Sequence, residues 1–163
     1  MKDSYLSREE LVKFIATLPT RRLAAGAVIR NEHGELLLVQ PNYKDGWILP
    51  GGTVEAGEAP KPGCFREVEE ELGLRLAPGR LLLVFHGLAR GVWGDSTYYM
   101  YDAGVIAKNT PVTLQTEELI TYEWVAPEQL REYVNLGFAE RLHDCLRALR
   151  TGEVVEMSSD ERP

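Results

Sequence analysis

The chain has 163 residues and a formal net charge of −7, with 44% hydrophobic and 26% charged residues. That size fits one compact domain able to bury a sheet and its covering helices. An acidic chain carries no electrostatic footprint for nucleic acid polymers, yet it can take a phosphorylated small molecule where cations screen the charge.

No apolar run approaches the roughly 20 residues of a membrane span. The opening residues Met1-Lys2-Asp3-Ser4-Tyr5 lack the apolar stretch of a secretion signal. A cytoplasmic protein without a membrane partner is expected. Cys64 and Cys145 lie outside any CxxC or zinc spacing and read as reduced packing residues. His33, His86 and His143 are scattered and form no ligand pattern.

In chain order, Ser7 to Leu18 reads as a helix. Ser7 and Glu10 form a capping box, and Leu11, Phe14, Ile15 and Leu18 share one face. That face needs cover, from the chain's own sheet or from a second copy, and a homodimer is expected. Leu23–Arg30 and Glu35–Gln40 read as a hairpin around Asn31-Glu32-His33-Gly34. Trp47-Ile48-Leu49 reads as a short strand before Pro50-Gly51-Gly52. A helix is expected from Pro60 to Leu72, with proline in its first turn and Gly73 just past its end.

Leu81–Leu88, Ser96–Ile106 and Tyr122–Val125 read as strands, and Pro127–Tyr133 and Phe138–Arg150 as helices. The polar, acidic segment 151–163 is expected to be disordered. The whole, 1–163, reads as a single domain with residues 1–20 as a helical extension. The order of elements predicts an α/β sandwich with a mixed sheet.

The chemistry concentrates in Gly52–Leu74. Within its helix Glu67, Glu70 and Glu71 stand at i, i+3 and i+4, which places three carboxylates on one face. Unpaired like charges at these spacings cost about 0.2–0.5 kcal/mol per pair. Either the face is simply solvated, or a cation sits among the carboxylates. Hard oxygen ligands of this kind suit Mg²⁺. Arg66, four residues before Glu70, can orient a carboxylate through paired hydrogen bonds. Gly51-Gly52 permits close backbone approach to a metal or phosphate.

Gly52, Glu58, Arg66, Glu67, Val68, Glu70, Glu71, Gly73 and Leu74 occupy every fixed position of the pattern G-x5-E-x7-R-E-U-x-E-E-x-G-U, where U is bulky and aliphatic. The chain therefore resembles the Nudix hydrolase family, and the likeness runs from about Leu23 to Leu149. The resemblance implies a Nudix-type α/β/α sandwich and metal-assisted hydrolysis of a phosphoanhydride bond in a nucleoside di- or triphosphate derivative. By the same resemblance Glu67, Glu70, Glu71 and the Gly51 carbonyl match ligands for Mg²⁺, with Mn²⁺ as an alternative. Arg66 matches a residue that orients a ligand. Gly52, Glu58 and Gly73 match structural positions.

The group that activates water varies between family branches. It is a helix glutamate, here Glu70, or a loop acid, here Glu118 beside Glu117; Glu118 also fits a plain surface turn. Gly63 and Pro62 depart from an ideal helix start. Glycine inside a helix costs about 1 kcal/mol relative to alanine.

Downstream markers that assign some branches to ADP-ribose, dinucleoside polyphosphates or NADH are missing, since Leu88–Val92 holds Ala89, Arg90 and Gly91. Tyr43, Trp93, Tyr98 and Tyr99 are candidates to stack on a base, and Lys44 and Arg90 to contact phosphates. Two other classes share the fold: an isomerase of isopentenyl diphosphate, whose extra cysteine and glutamate motifs are missing here, and a non-catalytic nucleotide- or sugar-nucleotide-binding module.

Overall fold

The computed structural model describes residues Tyr5–Asp160. Strand β1 (Arg22–Arg30) leads through a turn into β2 (Leu36–Pro41). The turn is built by Asn31, whose Oδ1 accepts the N–H groups of His33 and Glu35 at 2.9 and 3.1 Å. This is the side-chain mimicry of a backbone turn that favours asparagine there. The two strands pair antiparallel next to the turn, at Arg30 and Leu36, and then diverge. The short β3 (Gly51–Thr53) enters the gap and pairs with Ala24–Gly26 of β1.

The rest of the sheet comprises β4 (Leu81–Gly87), β5 (Ser96–Val105), β6 (Leu119–Val125) and β7 (Val155–Ser158). The order is β6-β2-β1-β5-β4-β7. β1 with β5 and β4 with β7 are parallel, and the remaining pairs are antiparallel, so the sheet is mixed as expected.

Alternation along β1 divides the core. Ala25, Ala27 and Ile29 face Cys64, Phe65, Val68 and Leu72 of helix α2 (Pro60–Leu72). Val28 faces the other way, toward Leu142, Cys145 and Ala148 of helix α4 (Leu136–Thr151). A period of two in the strand against 3.6 in each helix gives a sheet with a helix on either side. The expected three-layer sandwich is the observed one. Burial pushes the Cys64 thiol up to about 12, so this cysteine is packing material at neutral pH.

The boundaries of α2 follow the expectation. Pro60 occupies the first turn, and Gly73 ends the helix in the left-handed region at φ 66°. Helix α1 (Arg8–Ala16) carries both halves of its capping box. Its apolar residues are not covered by the sheet: Leu11 is 44% exposed, Phe14 51% and Ile15 54%. Between β6 and α4, the chain makes a 3-10 turn (Pro127–Gln129) and the one-turn helix α3 (Leu130–Tyr133). Among the described residues, no helix is long and apolar enough to cross a membrane.

Two expectations need correction. Of Trp47-Ile48-Leu49, Ile48 alone pairs, through one bridge to Val39, and the strand proper begins at Gly51. Apolar residues marked this segment, but the backbone bonds belong to the glycines that lie against β1. The acidic tail is not disordered where it is described. Val155–Ser158 adds a parallel strand to the edge of β4, with Met157 buried. Backbone hydrogen bonds to an open sheet edge outweigh the polar composition. Residues 161–163 of the expected tail lie outside the described part.

Candidate active site

The site is assembled by β3, α2 and the loop that precedes β6. Gly51 has φ 147°, and a Cβ there would meet the Ala25 carbonyl oxygen at 2.0 Å. Glycine is required both for the conformation and for the closeness to β1. At Gly52 a Cβ would lie 2.9 Å from the Glu67 carboxyl carbon. The Gly-Gly pair thus makes the room into which two helix glutamates reach.

Glu71 is 3% exposed, and its Oε2 accepts the Gly51 N–H at 3.0 Å. Burial pushes its carboxyl up to about 8, against the help of that hydrogen bond, and the nearby Glu67, Glu118 and Glu70 add to the rise. Glu67 is also raised by burial, with Arg66 opposing.

Arg66 is the organiser of the cluster. Its Nε and Nη2 donate to the two carboxylate oxygens of Glu58 at 3.0 and 2.7 Å. Its Nη1 donates to Glu67 at 3.2 Å and Glu70 at 3.1 Å. The bidentate pair holds the Glu58 carboxyl at about 2, well below its ordinary 4.5. Gly63 explains itself here, because a Cβ would meet Glu58 Oε1 at 2.6 Å. The glycine that weakens the helix is the space in which Glu58 lies against it.

Tyr43, Gly51, Gly52, Thr53, Glu67, Glu71 and Glu118 line one cavity of about 370 Å³. The structure therefore brings together two of the helix carboxylates, the candidate loop acid and one candidate aromatic. Glu70 stays outside that lining, half-exposed and paired with Arg66. Lys44 is not in the lining, but its Nζ lies 6.0 Å from the centre of the Tyr43 ring, which is. Arg90, Trp93 and Tyr98 do not line it. Arg90 and Trp93 close a hairpin on each other, with the Arg22 guanidinium 4.8 Å from the Trp93 ring centre. Tyr98 packs across Gly26 within the core on the α4 side.

Thr53 was missed by sequence reasoning, although it is two residues beyond Gly51 on one strand and so shares its face. The loop before Glu118 is also less free than its polar residues Asn109-Thr110-Pro111 and Gln115-Thr116 suggest. The N–H groups of Thr113 and Gln115 donate to the Leu72 and Glu71 carbonyls at 3.0 and 2.8 Å. The loop is bonded to the end of the helix that carries the carboxylates.

Among the described residues, no three His, Cys, Asp or Glu side chains close on a single point as a preformed metal cage. The donor set nevertheless suits a hard divalent cation. A buried carboxylate, two more acids and glycine backbone line the cavity, with no Lys or Arg in that lining to balance them. Mg²⁺ keeps several waters and needs few protein oxygens, so an open arrangement is adequate.

Arg66→Ala is expected to lower turnover by about tenfold or more with the fold retained, because three carboxylates lose their orientation. The check is kcat beside a thermal melt; loss of folding would make Arg66 purely structural. A pH signature accompanies it. Glu58's depressed pKa contributes stability that is present above 4.5 and lost as pH falls toward about 2. The stability gap between wild type and Arg66→Ala should therefore narrow through that window.

The NUDIX domain profile matches residues 20–147. A MutT-like protein of Streptomyces ambofaciens is 28% identical over 131 residues, covering 78% of this chain and 79% of its own. Nudix hydrolase 5 of Arabidopsis thaliana is 33% identical over 128 residues, 74% of this chain; the match takes in 41% of the plant protein's length. The crystal structure of a MutT protein from Methanosarcina mazei Go1 superposes with a TM-score of 0.69 at 28% identity, covering 83% of this chain and all of that one. With the complete motif folded as a loop and helix around one acidic cavity, and a domain match over most of its length, the chain belongs to the Nudix hydrolase family.

Proposed function

We propose that the protein is a Mg²⁺-dependent pyrophosphohydrolase that cleaves a phosphoanhydride bond in a nucleoside di- or triphosphate derivative. The observation that carries this reading is the buried Glu71 carboxylate, which shares a cavity with Glu67 and Glu118 and has no cationic side chain in the lining. To carry its charge at neutral pH in that buried position, such a group needs a cation. Carboxylates alone would repel a pyrophosphate.

Glu67, Glu71 and the Gly51 carbonyl would hold the ion, and Glu70 would join them by leaving Arg66. Mn²⁺ has the same ligand preference. A bound divalent ion supplies charge neutralisation on the phosphoryl oxygens and a lower pKa for water. Arg66 and Glu58 keep the helix carboxylates oriented. Glu118 or Glu70 accepts the proton from the attacking water. Tyr43 offers its ring to a base at the cavity mouth, and Lys44 beside it offers a charge to the phosphates.

The test is a panel of nucleoside triphosphates, nucleotide sugars and dinucleotides at saturating Mg²⁺, with products separated. A nucleoside monophosphate or diphosphate from at least one of them is expected. No anhydride cleavage across the panel would defeat the reading.

The exposed apolar face of α1 supports a homodimer, and a monomer by light scattering at micromolar concentration would remove the dimer.

A further inference from the structure

The peptide that carries Glu118 is held by a residue with no place in the family motif. β2 and β6 run antiparallel with a shift of register at Gln40 and Pro41, so that Pro41 pairs with Leu119. One residue beyond the ladder, Asn42 makes two bonds to the same dipeptide. Its N–H donates to the Glu118 carbonyl at 2.9 Å. Its side-chain Nδ2 donates to the Glu117 carbonyl at 2.7 Å.

From the opposite side, the N–H groups of Glu118 and Leu119 both turn to the Gln115 carbonyl, at 3.2 and 3.0 Å, and Gln115 is itself bonded to the Glu71 carbonyl. The Glu117–Glu118 peptide is therefore clamped between α2 and Asn42. Tyr43, the residue after Asn42, lines the same cavity as Glu118. One short segment thus fixes both the acid and the aromatic at the cavity edge.

We propose that Asn42 is a positioning residue that holds Glu118 in the cavity through its side-chain bond to the Glu117 carbonyl. The inference rests on the reading of Glu118 as a proton acceptor. The donor is specific to asparagine at this point. Aspartate has the same shape but only acceptor oxygens, so it would face the Glu117 carbonyl with a repelling atom. The backbone bond from residue 42 survives either substitution, so the sheet keeps its register.

The experiment compares Asn42→Ala and Asn42→Asp with wild type in two readouts, with Glu118→Gln in the same assay. Hydrogen exchange of the 115–119 amides should quicken by about tenfold in both variants, while α2 keeps its protection. At saturating Mg²⁺ kcat should fall by about tenfold with KM little changed, the cost of a misplaced group. Unchanged exchange overturns the clamp. Faster exchange with wild-type kcat overturns its part in catalysis. In that second case Glu118→Gln separates the two failures: wild-type kcat there removes Glu118 as the acceptor, and a low kcat leaves Glu118 in place with Asn42 idle.

Discussion

Glu71→Gln is expected to lower kcat by about 10²-fold or more, because a group at the centre of the proposed cation site is lost. The same change should stabilise the metal-free fold at high pH. The native Glu71 carboxyl titrates at about 8, against an ordinary 4.5. Between those values the folded chain holds a proton that the unfolded chain has released, so stability falls as pH rises through the window. Above it the wild type carries a buried, unbalanced carboxylate. Glutamine keeps an acceptor for the Gly51 N–H and cannot ionise, so the variant should gain on the order of 1–3 kcal/mol over wild type near pH 9. Added Mg²⁺ should reverse the ranking by stabilising the wild type alone. Denaturant melts at pH 5 and 9, with and without the ion, check this. An active Glu71→Gln variant, or a ranking that ignores Mg²⁺, would show that Glu71 is only a structural acid tying down Gly51.

Glu118→Gln is expected to reduce kcat by about 10²-fold with a smaller change in KM, the pattern of an interaction made chiefly in the transition state. Glu118 lines the cavity beside Glu67 and Glu71, whereas Glu70 lies outside the lining and is tied to Arg66. Glu117→Gln should matter less, since the cavity lining includes Glu118 but not Glu117. Saturating Mg²⁺ is needed in each assay so that weakened ion binding is not read as a lost proton acceptor. Wild-type kcat in Glu118→Gln together with an inactive Glu70→Gln would place the acceptor on the helix.

The central parts of the fold were legible because local chemistry and packing agree there. Ser7, Pro60 and Gly73 mark helix ends by mechanisms that need no tertiary context. The alternation of Ala25, Ala27 and Ile29 against Val28 sorts β1 between two helices. What escaped depends on partners distant in sequence. β7 exists because β4 offers it an edge, and nothing in 155–158 alone reports that edge. The grouping of Glu67, Glu70 and Glu71 was readable from spacing, but spacing could not show that Glu71 would be buried against Gly51 while Glu70 turned to Arg66. Gly63 looked like a defect in the helix until Glu58, five residues earlier, was seen to occupy the space. Trp93 and Tyr98 were plausible stacking residues by type. Trp93 lies in the connection between β4 and β5, under the Arg22 guanidinium, and the place of Tyr98 on β5 puts it in the core.

The most direct measurement is turnover of a cleaved nucleotide by chelator-treated protein as Mg²⁺ is added back. Hydrolysis should be absent in EDTA and rise along a saturation curve that matches Mg²⁺ binding followed by calorimetry on the same sample. Glu71→Gln should lose both the heat and the turnover. Full turnover in EDTA, or Mg²⁺ binding that Glu71→Gln leaves unchanged, would contradict a cation held by the acidic cavity.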